Sequence, residues 1–414
     1  MTDFKIILLT GVTTLFLTAV GCAPQEFSVQ TGLENLLDNH LDKLAGKNVG
    51  IITNQTGIDR DGRSIWELLQ SVKNLNVTAL FSPEHGIFGE AADGEKVEYG
   101  ENKKLPPLFS LYGSTRKPTQ DMLEGIDILI YDIQDVGARF YTYITTMGLS
   151  MEAAAEAGIP VLILDRPNPL SGEVVSGPIL NLGFQTNVGY YPITSVYGLT
   201  AGELALMIAD RKWVEEVPEL DIIPMLGWKR AMWYDQTGIP WFPPSPNIPD
   251  FETAIVYPAT VLIEGTNVSE GRGTDRPFRQ IGAPWLDGKQ LASEMNERAL
   301  PGVKFNSISF SPRSIPGAAP NPKHMGVTCY GIELIITDRF LFRPVETGIW
   351  LLWEIALLGK DNFKIKESGL NRLFGSDALS KSLLGEISPD ILVEELRETA
   401  GHFDKLRQKY FLYD

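Results

Sequence analysis

The sequence predicts an α/β protein in which a parallel sheet, covered by helices on both faces, is followed by a smaller α+β domain. Short, almost entirely apolar segments alternate with segments of helical spacing as far as about Ala283, a pattern typical of parallel strands buried on both faces. Four of the apolar segments end in polar turns, with the sequences NQTG, SPEHG, DIQDVGAR and DRPNP. Right-handed connections bring the carboxyl ends of parallel strands to one side, so we expect the four turns to meet at one edge of the sheet.

Two strand–helix units open the predicted sheet. The expected elements are a helix over residues 32–44, a strand over 47–53, a helix over 61–72 and a strand over 77–81. Pro83 ends the second strand because proline lacks a backbone donor. Glu84 and His85 therefore follow the carboxyl end of a core strand, which is where ligands bind in open α/β sheets.

The alternation continues after a long polar segment. Residues 91–117 are rich in glycine, proline and charge and are expected to run over the surface, with one short apolar piece at 107–112. Further elements are expected in this order: a strand over 125–133, a helix over 141–157, a strand over 161–164, a helix over 201–211 capped by Thr200, and an apolar segment over 220–225. They extend the same parallel sheet.

A proline-rich segment and a charged loop come before the second domain. Residues 241–249 hold four prolines and are expected to be rigid and extended. Residues 254–264 predict a strand, and 265–276 a glycine-rich polar loop. Beyond about Ala283 we expect the α+β domain, with helices over 288–300, 345–357 and 389–410 and strands over 303–310 and 325–336.

The amino-terminal segment resembles an export signal. Residues 6–20 are almost wholly apolar or small, and Ala19, Val20 and Gly21 precede Cys22, as in bacterial lipoproteins. We expect a signal peptide over residues 1–22, a catalytic domain over 30–283 and a smaller domain over 284–414, with lipidated Cys22 anchoring the protein in the cell envelope, facing the periplasm or the outside. Secretion with a nearby cleavage site and an uncleaved anchor are the alternatives.

Composition and motifs exclude several classes of function. The formal net charge of −16 argues against binding nucleic acid or anionic membrane surfaces, so membrane contact is expected only through the lipid. No turn has the glycine spacing of a dinucleotide or phosphate loop, and no Gly-x-Ser-x-Gly elbow is present. No His/Cys cluster has metal-ligand spacing, and we expect no cofactor. Binding of Mg²⁺ or Ca²⁺ by the carboxylates of Asp132, Asp135 and Asp165 is an open alternative.

The chemistry predicted for the sheet edge is that of a glycosidase. Paired carboxylates are what glycoside hydrolysis needs, because one protonates the leaving oxygen while the other attacks or activates water. Arginines could grip a substrate carboxylate in bidentate fashion, and aromatic rings could stack on sugars. The candidates for these two roles are Arg139, Arg166 and Arg272, and Tyr141, Tyr143, Tyr190, Tyr191 and Trp241. The alternative is that Asp132, Asp165 and Arg166 cap helices and connect loops.

Six motifs together resemble one known family. They are GIITNQTGID, LFSPEHGIFGE, DILIYDIQDVGARFYTY, PVLILDRPNPLSG, PSPNIPD and LIEGTNVSEGRGTDRPF, and they resemble the bacterial exo-β-N-acetylmuramidases. The resemblance implies a Rossmann-like catalytic domain, a smaller C-terminal domain and a cleft between them. It also implies release of N-acetylmuramic acid from the non-reducing end of peptidoglycan fragments, for cell-wall turnover and recycling.

The resemblance also suggests roles for particular residues. Glu84 is expected to be the catalytic acid or base, with His85 beside it and Glu270 as the second carboxylate, while Arg272 would bind the lactyl carboxylate of muramic acid. Further substrate-binding candidates are Asn54, Asp135, Arg139, Asp165, Arg166 and Glu264. The alternatives to an exo-glycosidase are an esterase or amidase acting on envelope saccharides and a non-catalytic muropeptide-binding lipoprotein.

Overall fold

The computed structural model describes residues 29–92, 94, 95, 97 and 105–414. The predicted signal peptide, residues 1–22 with Cys22, lies outside the described residues. Within those residues, each helix is too short or too polar to cross a membrane.

The larger domain is built on a six-stranded sheet in which every pairing is parallel. The strands are β1 (Asn48–Thr53), β2 (Asn76–Ser82), β3 (Leu108–Ser110), β4 (Ile128–Asp132), β5 (Val161–Leu164) and β6 (Leu220–Ile223). Their spatial order is β3-β2-β1-β4-β5-β6, so the direction in which the chain adds strands reverses between β1 and β4. The predicted Rossmann-like parallel sheet is confirmed.

Helices cover this sheet on both faces. They are α1 (Gly32–Asn39), α2 (Ile65–Gln70), α3 (Gln120–Leu123), α4 (Tyr143–Glu156) and α5 (Ala201–Asp210). Successive strand residues point to opposite faces, and the core divides accordingly: Ile51 and Leu80 pack in one apolar cluster, Ile52 and Phe81 in the other. Thr200 caps α5 by accepting from the backbone N–H of Glu203, as the sequence predicts.

The prediction of a strand over residues 254–264 is wrong. The segment forms helix α6 (Phe251–Thr260), which continues as a 3₁₀ turn over Val261–Gly265. Asp250 caps the helix by accepting from the backbone N–H of Thr253. The run of β-branched and aromatic residues that favours a strand is instead explained by burial, because every residue of α6 except Glu252 is buried.

The smaller domain is α+β, as predicted. Its elements are β7 (Gln280–Ala283), α7 (Gly288–Glu297), β8 (Val303–Phe310), β9 (Cys329–Ile336), α8 (Pro344–Gly359), α9 (Glu367–Phe374), α10 (Ala378–Leu383) and α11 (Pro389–Arg407). The three strands form an antiparallel sheet in the order β7-β9-β8, and α8 packs against α6.

The C-terminal tail ties this domain back to the parallel sheet. The Tyr413 hydroxyl donates to Asp165 Oδ2, just after β5, at 2.6 Å, and the Tyr413 ring packs edge-on against Trp228 with 5.0 Å between the ring centroids. The backbone N–H of Arg230 donates to the Asp414 carbonyl at 2.8 Å. The two domains therefore share contacts at the carboxyl edge of the sheet.

Candidate active site

A cavity lies at this edge, between the two domains. Its described lining comes from the turns after β2 and β3, the segment before α4, the loop between β5 and α5, the proline-rich segment, α6 with its 3₁₀ continuation, the charged loop with the residues just after it, and α9. The residues are Glu84, His85, Tyr112, Phe140, Tyr141, Thr142, Asn187, Val188, Ser245, Asn247, Ile248, Tyr257, Glu264, Arg272, Phe278 and Leu373. Four of the ten predicted site residues are among them: Glu84, His85, Glu264 and Arg272.

The Glu84 carboxylate is held from two sides although the residue lies in a turn. Only 6% of the surface of Glu84 is exposed. Thr142 Oγ1 donates to Glu84 Oε2 at 2.8 Å, and the backbone N–H of Gly94 donates to Oε1 at 3.2 Å. A carboxylate fixed from two sides has a defined orientation, which is what proton transfer to a bound substrate requires.

His85 shapes the turn that carries this carboxylate. Its φ of 70° lies in the left-handed region, which costs energy for a residue with a Cβ. Its Nδ1 lies 2.8 Å from the Ala91 carbonyl, and because a carbonyl only accepts, Nδ1 carries the proton. His85 therefore connects the turn to the segment that follows it.

The second carboxylate in the described lining is Glu264, and it is paired with Arg272. Arg272 Nη2 and Nε lie 2.7 Å and 3.2 Å from Glu264 Oε1. The Arg272 guanidinium also lies 5.1 Å from the centre of the Phe278 ring, a cation–π distance. The cavity thus combines two carboxylates with one guanidinium whose plane is supported by an aromatic ring.

Glu270 lies outside the described lining, behind Arg272. Its side chain is 5% exposed, with Oε1 at 3.7 Å from Arg272 Nε and Oε2 at 3.0 Å from Lys323 Nζ. The structure therefore brings Glu270 within reach of the site's arginine but directs it to two protein cations. Glu264 lines the cavity, whereas Glu270, the expected second carboxylate, lies on the other side of Arg272.

The other predicted arginines are bound to protein groups. Arg139 is fully buried, and its Nη1 and Nη2 donate to the backbone carbonyls of Pro178, Ile193, Leu373 and Phe374 at 2.7–3.1 Å. Burial lowers the pKa of Arg139 to about 9. Arg166 forms a bidentate pair with Asp132, at 2.5 Å and 2.9 Å. Both guanidiniums connect loops at the sheet edge.

The remaining predicted polar residues also lie outside the described lining. Asn54 Oδ1 accepts from the backbone N–H and the hydroxyl of Thr56. Asp135 Oδ2 accepts from the backbone N–H of Gly137 at 2.7 Å and from the Tyr197 hydroxyl at 2.5 Å. Burial raises the pKa of Asp135 to about 6, although these hydrogen bonds favour the charged form.

Asp165 is part of the connection between the domains. Its Oδ2 accepts from the Thr200 and Tyr413 hydroxyls and its Oδ1 from the backbone N–H of Gly202. Burial raises the pKa of Asp165 to about 6. Within the described residues, no group of three or more His, Cys, Asp or Glu side chains is arranged to hold a metal ion. The three carboxylates that could have bound Mg²⁺ or Ca²⁺ instead accept hydrogen bonds from protein groups; they are those of Asp132, Asp135 and Asp165.

Several lining residues are not among the predicted site residues, including Thr142, Asn187, Asn247 and Tyr257. Of the aromatic residues predicted to stack on sugars, only Tyr141 belongs to the described lining, while Tyr191 is buried in the core and stacks on Trp213. Thr142 carried a usable signal, because it stands at the N-cap of the helix that follows the third polar turn. Asn247 lies in the PSPNIPD motif, but only the fold shows that its amide donates to the distant Ala318 carbonyl.

The fold and the site define the class. A parallel α/β domain presents a fixed carboxylate in a cleft that a smaller domain closes. The cleft also holds a second carboxylate and aromatic rings. This arrangement is that of a two-domain glycosidase. The chain belongs to the exo-β-N-acetylmuramidase NamZ family, whose N-terminal part matches residues 49–252 and whose C-terminal part matches residues 255–413. The resemblance predicted from six motifs is confirmed.

Similar proteins cover nearly the whole chain. The peptidoglycan β-N-acetylmuramidase NamZ of Bacillus subtilis (strain 168) is 42% identical over 387 residues, which are 93% of this chain and 91% of that protein. Two DUF1343 family proteins from Bacteroides fragilis NCTC 9343 with crystal structures are each 34% identical and each match 94% of this chain. Their TM-scores are 0.86 and 0.77, with 100% and 99% of their own chains covered.

Proposed function

We propose that the protein is an exo-acting glycosidase that releases N-acetylmuramic acid from the non-reducing end of peptidoglycan fragments, in cell-wall turnover and recycling. The observation that carries the proposal is Glu84, a nearly buried carboxylate fixed by Thr142 and Gly94 in a cavity with a second carboxylate. Membership of the exo-β-N-acetylmuramidase family supports the same reaction.

Each carboxylate of the cavity has a role in this proposal. Glu84 transfers the proton at the glycosidic oxygen, because its hydrogen bonds fix its direction. Glu264 acts on the other side of the sugar, where glycoside hydrolysis needs a carboxylate to attack the anomeric carbon or to activate water. Glu270, the second carboxylate favoured by sequence, supports Arg272 from behind.

Arg272 is proposed to recognise the lactyl carboxylate that distinguishes muramic acid from N-acetylglucosamine. It lines the cavity, and stacking on Phe278 limits the orientations of its guanidinium. A planar guanidinium binds a carboxylate through two parallel hydrogen bonds. The charge of Arg272 would then be shared between Glu264 and the substrate.

The site of action is proposed to be the cell envelope, with the protein anchored through a lipid on Cys22. The small residues before Cys22 and the apolar segment 6–20 support this. Labelling of expressing cells with a fatty-acid analogue should mark the wild type and not Cys22→Ala, and the variant should leave the membrane fraction. Unlabelled wild type released to the medium would instead indicate simple secretion.

The reaction is tested on a defined disaccharide of N-acetylmuramic acid β-linked to N-acetylglucosamine. We expect equimolar release of the two sugars, while a polymer capped by N-acetylglucosamine stays intact. An acetylated saccharide and a muramoyl peptide, assayed in parallel, test for esterase and amidase activity. Saturable binding of the disaccharide without product over a long incubation would show a binding protein and contradict the proposal.

A further inference from the structure

The loop between β8 and β9 reaches from the smaller domain to the segment that carries Glu264. Lys323, in this loop, places Nζ at 3.1 Å from the Ile263 carbonyl, 3.3 Å from the Glu264 carbonyl and 3.0 Å from the Val268 carbonyl. The next residue, His324, places Nε2 at 2.7 Å from the Asn267 carbonyl. Two adjacent side chains thus bind four carbonyls within residues 263–268.

These carbonyls need partners because of where they lie. Ile263 and Glu264 lie in the 3₁₀ turn that continues α6 and ends at Gly265, and Asn267 and Val268 follow it. The last carbonyls of a helix lack a full set of partners within it; here the Ile263 carbonyl accepts from the backbone N–H and hydroxyl of Thr266 as well as from Lys323. An ammonium group has three N–H donors, which match the three carbonyls that Lys323 contacts. Its charge also lies 3.0 Å from Glu270 Oε2, an ion pair without a hydrogen bond. Lys323 therefore holds the backbone on one side of the cavity and neutralises the carboxylate on the far side of Arg272.

We infer that Lys323 is a positioning residue that fixes Glu264 and, through Glu270, Arg272 in the active site. The inference rests on the proposed function and adds a residue from the smaller domain. Lys323 holds the backbone of Glu264 directly. Glu270, held by Lys323, lies 3.7 Å from Arg272 Nε, and Arg272 in turn binds Glu264, which closes the network.

Lysine is the residue that this geometry requires. Methionine has a stem of similar length and no donor. Arginine keeps the charge but offers its N–H groups in a planar fork, which does not suit carbonyls that converge on one point. A purely structural helix cap would also use a lysine here, so the test must separate folding from the position of Glu264.

The test is a double-mutant cycle between Lys323→Met and Glu264→Gln. Turnover is measured on an aryl glycoside of N-acetylmuramic acid with a good leaving group, and binding of free N-acetylmuramic acid is measured by calorimetry, which needs no turnover. We expect Lys323→Met to lower kcat about tenfold or more in the wild-type background and by less than about twofold when Glu264 is already glutamine. Affinity for the product also depends on Arg272, so it should fall in both backgrounds. A loss of kcat of equal size in both backgrounds, or an unchanged product affinity, would overturn the inference.

Two further variants complete the experiment. Lys304→Met makes the same chemical change on the exposed face of β8 and should leave both quantities unchanged. Lys323→Arg keeps the charge and the fold, so we expect kcat to fall with little change in the unfolding temperature; full activity would overturn the role of the three carbonyls. A wild type that fails to cleave the disaccharide refutes the proposed function, whereas an active wild type with additive losses refutes only the role of Lys323.

Discussion

Thr142 Oγ1 lies 2.8 Å from Glu84 Oε2 and joins two parts of the sheet edge that are not neighbours. Glu84 follows β2, whereas Thr142 follows β4 and precedes α4, and β1 lies between these two strands. The hydrogen bond therefore makes the direction of the proposed proton-transfer group depend on the start of α4.

Replacing Thr142 by valine tests this dependence. The variant keeps the shape of the side chain and removes the donor, and a hydrogen bond to a charged group contributes about 1.5–3 kcal/mol. We therefore expect kcat on the disaccharide to fall on the order of tenfold or more, with a small change in KM. Thr142→Ser, which keeps the hydroxyl, should retain most of the activity; equal activity of the serine and valine variants would argue against the role.

Replacing Arg272 by alanine tests recognition of the lactyl group. The loss of a charge-assisted, bidentate partner should lower kcat/KM for muramic acid glycosides about tenfold or more. Glycosides of N-acetylglucosamine lack the lactyl carboxylate and should lose less, although both substrates feel the loss of the Glu264 pair. Equal losses on the two substrates would reject the proposed recognition.

Replacing Arg139 by lysine tests whether this guanidinium is structural. Lysine cannot reach four carbonyls in the plane that Arg139 occupies, so buried acceptors lose their partners. We expect the free energy of unfolding in urea to fall on the order of 3 kcal/mol. Arg372→Lys, on the exposed side of α9, is the matched control, and a variant of Arg139 as stable as this control would contradict the structural role.

The buried carboxyl of Asp165 should make stability depend on pH. Its pKa in the folded protein, about 6, lies above the ordinary value of 3.8, so the folded state holds a proton that the unfolded state releases. Its contribution to stability is complete below about pH 4 and is lost as the pH rises through about 6. The free energy of unfolding measured in urea should therefore fall more steeply with pH across this window for the wild type than for Asp165→Asn. An equal dependence on pH in the two proteins would contradict this assignment.

The sequence predicts the parallel strands and the position of Glu84 at the edge of the sheet better than it predicts what the arginines bind. The strand over Val161–Leu164 has the predicted bounds, and Glu84 is recognisable because a proline ends its strand just before it. Arg139 has the same appearance in the sequence as a substrate-binding arginine. It is structural because carbonyls from distant segments, such as those of Pro178 and Phe374, converge on it, and no local pattern reveals such a meeting.

Contacts between distant segments also decide the roles of the second carboxylate and Lys323, and the sequence does not reveal them. Glu264 and Glu270 stand in one charged segment, and only the fold shows that Glu264 lines the cavity while Glu270 faces Lys323. The sequence of α6 predicts a strand because the helix is buried almost all round and lacks the polar face that marks a helix.

The central claim is that Glu84 transfers the proton in the cleavage of a muramic acid glycoside. Glu84→Gln keeps the size of the side chain and one oxygen that can accept from Thr142, but it removes the acid and the acceptor for the Gly94 backbone N–H. We expect a folded protein, with the unfolding temperature of the wild type, whose release of N-acetylmuramic acid from the disaccharide falls by about a hundredfold or more. Turnover close to that of the wild type in this variant would contradict the account.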